Sequence, residues 1–217
     1  GHECQKGARL GTRLATCREQ GPELLHGQLP LGQHRHHLAA TLTQALLFAS
    51  FSAFWTVLAF YLAEPAYGLG ADMAGLFGVI GVAGVVAAPL AGRMADRLGA
   101  RPVVLAGAVL VVLAWICFEL WLSLAGLACG VILLDLGVQS ALIAHQQRIY
   151  GLRPEARGRI NTLFMTGMFL GGTLGSSLGM LVWQQGHWLG VGAAGMGLAL
   201  VACLCALAGR RGLQPAI

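Results

Sequence analysis

The chain has 217 residues, of which 56% are hydrophobic, 11% are charged and 32 are glycine. Soluble domains carry about 25% charged residues and about 7% glycine, so this chain has too little polar surface to cover a soluble fold. A soluble enzyme, a nucleic-acid-binding protein and a disordered tail are excluded as classes, and a lipid bilayer is the natural solvent. The net charge of +5 must therefore be read by its position along the chain.

Residues 1–37 form a polar leader with Gly21-Pro22, Leu29-Pro30 and a histidine-rich tract, His34, His36 and His37 around Arg35. It lacks the apolar core of a secretory signal and reads as a linker, or as a remnant of truncation. No second ligand cluster stands near the histidines in sequence, so the tract is expected to be incidental and no metal is expected. Beyond it, a helix needs about 20 mostly apolar residues to cross about 30 Å of hydrocarbon.

The uncharged run Leu38–Ala63 supplies a first span and Met73–Gly92 a second. The apolar stretch Pro102–Ala144 is too long for one helix. Glu119, between Phe118 and Leu120, marks its turn and gives spans Pro102–Phe118 and Leu120–Ala144. Residues 160–209 carry no charge, and Gln184-Gln185-Gly186-His187 is their polar break, giving Asn161–Trp183 and Leu189–Gly209. The expected organisation is a leader over 1–37, six spans over 38–209 and a short tail over 210–217. A β-barrel would need many short alternating segments instead.

The basic residues test that count. Lys6, Arg9, Arg13, Arg18 and Arg35 precede span 1, and Arg93, Arg97 and Arg101 follow span 2. Arg148, Arg153, Arg157 and Arg159 follow span 4, and Arg210 and Arg211 follow span 6. All 14 Lys and Arg therefore fall on one side of a six-span topology, while the opposite loops hold Glu64, Asp72 and Glu119. Cytoplasmic loops collect Lys and Arg, so both termini are expected in the cytoplasm. Trp121, Trp183, Trp188, Tyr61 and Tyr67 gather towards the outer ends, as an interfacial aromatic belt does.

Four of the six cysteines (117, 129, 203 and 205) lie inside apolar spans and no CxxC occurs, which indicates neither zinc nor a disulfide framework. Gly167, Gly171, Gly175 and Gly179 repeat every four residues in span 5 and define one smooth helical face for close packing. Gly84, Ala88 and Gly92 make a shorter version in span 2, where Pro89 removes a backbone donor and can bend the helix. Gly175-Ser176-Ser177-Leu178-Gly179 matches the nucleophile-elbow letters, but that motif needs a strand–turn–helix setting. An intramembrane serine protease is rejected, and no enzyme activity is expected.

Asp135, in Leu133-Leu134-Asp135-Leu136-Gly137, is an ionisable side chain deep inside a span. Such a residue is expected to face the bundle interior and to mark function. Gln139 shares its helical face and Gln146 lies nearly in line. The alternative is a neutral, hydrogen-bonded structural aspartate. His145, near the inner end of span 4, is read as structural more readily than as a titrating group.

After span 2 the chain reads Gly92-Arg93-Met94-Ala95-Asp96-Arg97-Leu98-Gly99-Ala100-Arg101. This resembles the signature loop of the major facilitator superfamily, G-x-x-x-D-R-x-G-R-R. Gly92, Asp96, Arg97, Gly99 and Arg101 match, and Ala100 replaces the first of the final basic pair. Gly99 permits a tight turn, Asp96 suits a helix N-terminus, and the arginines hold the segment cytoplasmic. The resemblance covers residues 40–209, including Phe51–Phe60 and the stretch from Arg148 to Thr162. It implies an all-α membrane protein, six transmembrane helices forming one half of a major-facilitator-type bundle, helices seven to twelve of a parent.

It further implies that Asp96 is a gating residue with Arg97 as its partner. The first and fourth helices of a half line the family's cavity, which assigns Ser52, Trp55, Thr56, Asp135 and Gln139 to the substrate or proton path. The hydroxyls could equally bond to their own helix carbonyls. The expected function is secondary transport of a small solute by alternating access in the bacterial inner membrane, proton-coupled, with efflux preferred and no cofactor. Its expected partners are the lipid bilayer, the solute and a missing N-terminal six-helix half, or a second copy; no nucleic acid is expected. The rival readings are a six-span scaffold or chaperone and a sugar or organic-acid uptake transporter.

Overall fold

A computed structural model describes residues 31–86, 88–150 and 157–208, with side chains over 37–82, 89–148 and 158–208. The described residues are helical apart from short turns. The elements are α1 (Leu31–Leu62), α2 (Ala71–Val86), α3 (Ala88–Leu98), α4 (Ala100–Leu120), α5 (Leu124–Tyr150) and α6 (Arg157–Ala208). Among them four segments are long and apolar enough to cross a membrane: His37–Leu62, Ala100–Leu120, Leu124–Arg148 and Gly158–Ala208.

The boundaries differ from the sequence reading in instructive ways. α1 begins at Leu31, so the end of the polar leader is helical; the His34 and His36 side chains lie outside the described residues. Glu119 does not break the third span: α4 runs through it to Leu120, and the turn falls at 121–123. There Trp121 N–H bonds to Cys117 O at 3.0 Å, and Ser123 Oγ accepts Gly126 N–H at 3.1 Å. The serine hydroxyl caps the start of α5, a stop-and-start signal that composition did not carry. α5 in turn continues past Ala144 to Tyr150.

α6 contains 52 residues. At about 1.5 Å per residue such a helix would extend about 78 Å, far beyond the hydrocarbon thickness. It is divided at His187, whose φ 47° and ψ −143° are not helical, into arms 157–186 and 188–208. The chain reverses there. Gly167, Gly171, Gly175 and Gly179 meet Thr41, Ala45, Ala49 and Ala53 of α1 in turn, so the first arm runs parallel to α1. In the second arm Trp188 stacks on Tyr61 while Gly195 meets Ser50, so that arm runs antiparallel to α1.

The remaining helices alternate in the same way. α4 runs with α1, because Trp115 bonds Ser50 and Phe118 stacks on Phe54. α5 opposes α4, with Gly107 against Gly137 and Phe118 against Gly130. α2 and α3 run with α5, with Gly81 against Asp135 and Gly92 against Gln147. Arg101 and Arg148 therefore share a basic end, whereas Glu64 and His187 share the opposite end.

The core lies nearer that opposite end. Phe54 stacks on Phe118 with centroids 4.4 Å apart, Tyr61 stacks on Trp188 at 3.7 Å, and Trp115 is fully buried beside them. Trp188 and Tyr61 are thus core residues rather than members of an interfacial belt. Each closes a gap between α1 and the second arm, where large aromatic area is best buried. Trp121, by contrast, is 51% exposed.

Candidate functional site

The signature segment is not a loop. α3 carries it as helix through Leu98, with Ala91 and Ala95 buried one turn apart and Arg93, Met94, Asp96 and Arg97 outward. Apolar residues at i and i+4 are enough to hold a helical face, and charges at the aqueous edge need no break. The turn is confined to Gly99, at φ 86° and ψ 156°, where α4 begins without a side-chain cap. A residue with a Cβ rarely adopts that conformation. Asp96 is exposed in the last turn of α3, not at the start of a helix. Gly92 O accepts a bond from Gln147 Nε2 at 3.3 Å, tying α3 to α5. Pro89 falls in the first turn of α3, where a missing donor costs little. Gly84 lies in α2 and Ala88 opens α3, but their packing falls outside the described residues, as does residue 87 between the two helices.

Asp135 sits in the middle of α5 and is 9% exposed. Its carboxylate faces α2 at Gly81. A Cβ built on that glycine would stand 3.1 Å from Oδ2 and 3.4 Å from Cγ, so the bare backbone makes the room the acid occupies. Oδ2 is buried with no hydrogen-bond partner among the described residues. Gln139, one turn on, is half-buried. Gln146 leaves this seam, because its amide reaches Met165 Sδ of the first arm at 3.9 Å. Gln147, not Gln146, continues the face towards α3.

The hydroxyl set belongs to a different seam. Thr56 Oγ1 lies 2.7 Å from Ser52 O and 2.8 Å from Ser176 Oγ. Having one proton, Thr56 donates to its own helix carbonyl while the serine hydroxyl donates to it. Ser52 packs beside Gly172. Ser52 and Thr56 therefore line the contact of α1 with the first arm of α6, whereas Asp135 lines that of α5 with α2. Trp55 packs edge-on to Phe54, with its indole N–H buried and unpartnered among the described residues. Ser177 bonds Thr173 O within a continuous helix, so the Gly175–Gly179 letters form no elbow.

Two polar features escaped the sequence reading. Trp115 Nε1 donates to Ser50 Oγ at 2.7 Å, and Ser50 donates to Gly195 O at 2.9 Å, joining α4, α1 and the second arm through the core. Gln44 is fully buried, its amide 3.5 Å from Val138 O. Neither residue carries a sequence signal, because serine and glutamine in an apolar helix look alike whether they face a neighbour or lipid.

A helical bundle whose long apolar helices alternate in direction, with a carboxylate buried among them, defines a multi-pass membrane protein. The chain belongs to the Major Facilitator Superfamily, whose family model matches residues 40–216. The uncharacterized transporter YgaY, in two Escherichia coli strains, is 39% identical over 166 residues, which cover 73% of this chain and 42% of YgaY. A protein of Streptomyces coelicolor named as a probable transporter, SCO4007, is 36% identical over 153 residues, 69% of this chain and 34% of that protein. The chain thus spans less than half the length of the curated relatives it matches.

Proposed function

We propose that this chain crosses a bacterial inner membrane six times, with its basic end in the cytoplasm, as the C-terminal half of a transporter that moves a small solute by alternating access. The solute's movement is coupled to protons, in the direction of efflux. Family membership and the transporter names of the relatives support the transport reading. The alternating directions of α1, α2 with α3, α4, α5 and the two arms of α6 support six crossings, as does the position of His187.

The observation that carries the coupling is Asp135. An unpaired carboxylate in an apolar bundle is costly, whereas the protonated acid is not. Oδ2, facing the bare backbone of Gly81, suits a group that binds and releases a proton as the bundle rocks. The Asp96 segment would brace the partner half at the basic end, with Arg97 beside it. Ser52, Trp55, Thr56 and Gln139 would contribute polar contacts to the solute path.

The test uses vesicles containing the chain co-expressed with a six-helix N-terminal half, with internal pH read by a trapped dye while candidate solutes are supplied. Wild type is expected to move protons in a solute-dependent way, and Asp135→Asn is expected to abolish this while inserting and unfolding like wild type. Solute-dependent proton movement that survives in Asp135→Asn overturns the coupling role. Full activity of the 217-residue chain alone overturns the requirement for an N-terminal half, and crosslinking along the glycine face then tests a homodimer.

A further inference from the structure

At the basic end two arginines and a buried histidine come together, and one of them, Arg101, is the last residue of the signature segment. A small cavity of about 40 Å³ is lined by Arg101 at the start of α4, by His145 and Arg148 one turn apart on α5, and by Thr43 of α1. A wider cavity of about 620 Å³, open to the outside, shares Arg101, Arg148 and Ala100 and adds Asp96 and Gln147. Both arginines line both cavities.

The polar atoms here are short of partners. His145 is 5% exposed, and both its ring nitrogens are buried with no hydrogen bond among the described residues. Arg101 Nη2 is likewise buried and unpartnered among them. The small cavity has no acidic residue in its lining, and the wide one has Asp96 alone, exposed on α3. Two guanidiniums that face each other repel unless an anion lies between them, and among the described residues the linings supply only the exposed Asp96. Buried N–H groups left unbonded are costly as well. Guanidinium groups match the oxygens of a phosphate, which accepts several charge-assisted bonds at once.

We propose that this cluster is a binding site for a phosphate-class oxyanion, held by Arg101 and Arg148 in the wide cavity with His145 behind them. The anion is either the headgroup of an acidic phospholipid, which the site's depth at the helix ends would suit, or a free phosphate. The site adjoins the signature segment, since Asp96 and Arg101 line the wide cavity, and it presupposes no particular solute.

The test measures thermal unfolding of the 217-residue chain by tryptophan fluorescence. One arm compares phosphatidylcholine nanodiscs with and without phosphatidylglycerol; the other titrates inorganic phosphate against chloride at equal ionic strength. A saturable rise of about 3–6 °C at ten times Kd is expected in at least one arm. A rise with phosphatidylglycerol alone assigns a lipid headgroup, and a rise with inorganic phosphate assigns a free anion. Arg101→Gln with Arg148→Gln should abolish the rise, whereas Arg93→Gln with Arg159→Gln removes the same charge elsewhere and should keep it.

Should the arginine pair fail to fold, Ala100→Glu decides. Ala100 lines both cavities at the first position of α4, so a carboxylate there supplies an internal counter-ion and also suits a helix N-terminus. This variant should unfold at a higher temperature and no longer respond. No rise in either arm overturns the site. So does a control pair that loses the rise as fully as the arginine pair, or an Ala100→Glu variant that still responds in full.

Discussion

At the scale of single residues, the sequence yields the expensive groups and not their surroundings. Asp135 stands out because a charge in an apolar run is rare on energetic grounds. Gly81, which makes its room, does not, because it is one glycine among 32. The Trp115–Ser50–Gly195 relay is invisible for the same reason. It joins residues 65 and 145 positions apart, and nothing local records which serine faces a tryptophan. The relay is nevertheless a strong constraint on the core. Ser50→Ala leaves Trp115 Nε1 buried without an acceptor, which costs about 1–3 kcal/mol. Reversible unfolding in mixed detergent micelles should show a loss of that size, and restoring a hydroxyl with Ser50→Thr should recover part of it. An unchanged midpoint for Ser50→Ala would mean that the indole finds another acceptor.

At the scale of elements, glycine spacing was the most informative local signal, because a four-residue repeat maps directly onto one helical face. The residues it faces were not readable. Their small side chains, Ala45, Ala49 and Ala53, repeat with the same period on α1, and only the parallel packing reveals that the two stripes match. A Cβ at Gly175 would overlap the Ala49 backbone, which has no flexible end to move aside, whereas one at Gly197 would meet nothing within 4 Å. Gly175→Ala should therefore lose about 1–3 kcal/mol through forced separation of the helices. Gly197→Ala should be neutral or gain up to about 1 kcal/mol from helix propensity. Unfolding midpoints of the two variants, measured side by side, distinguish a packing face from a general intolerance of alanine. Helix ends were the least legible feature. Glu119 lies inside α4, one residue before its end, and the charged signature segment lies inside α3 with its charges outward. A charge does not by itself end a helix, which stops where a turn residue such as Gly99 or Ser123 allows it.

At the scale of the whole molecule, two independent patterns converge. The placement of Lys and Arg gives one side to every second connection, and the register of side-chain contacts alternates the helices in the same order. Four of the described helices are long and apolar enough to cross a membrane, and the proposed six crossings need two more: α2 continued by α3, and α6 divided into its two arms. His187 bears on the second, since the reversal there carries 188–208 back past Ser50 to the basic end beside Thr43. Single cysteines in a cysteine-free background test this in intact cells with a membrane-impermeant maleimide. Gln185→Cys and Gly70→Cys, at the opposite end, should react from outside. Arg97→Cys and Arg159→Cys, at the basic end, should react only after the membrane is opened, as expected where basic connections stay in the cytoplasm. Labelling of Gln185→Cys only from the same side as Arg159→Cys would mean that 157–208 does not cross twice, and the six-crossing topology would fall with it.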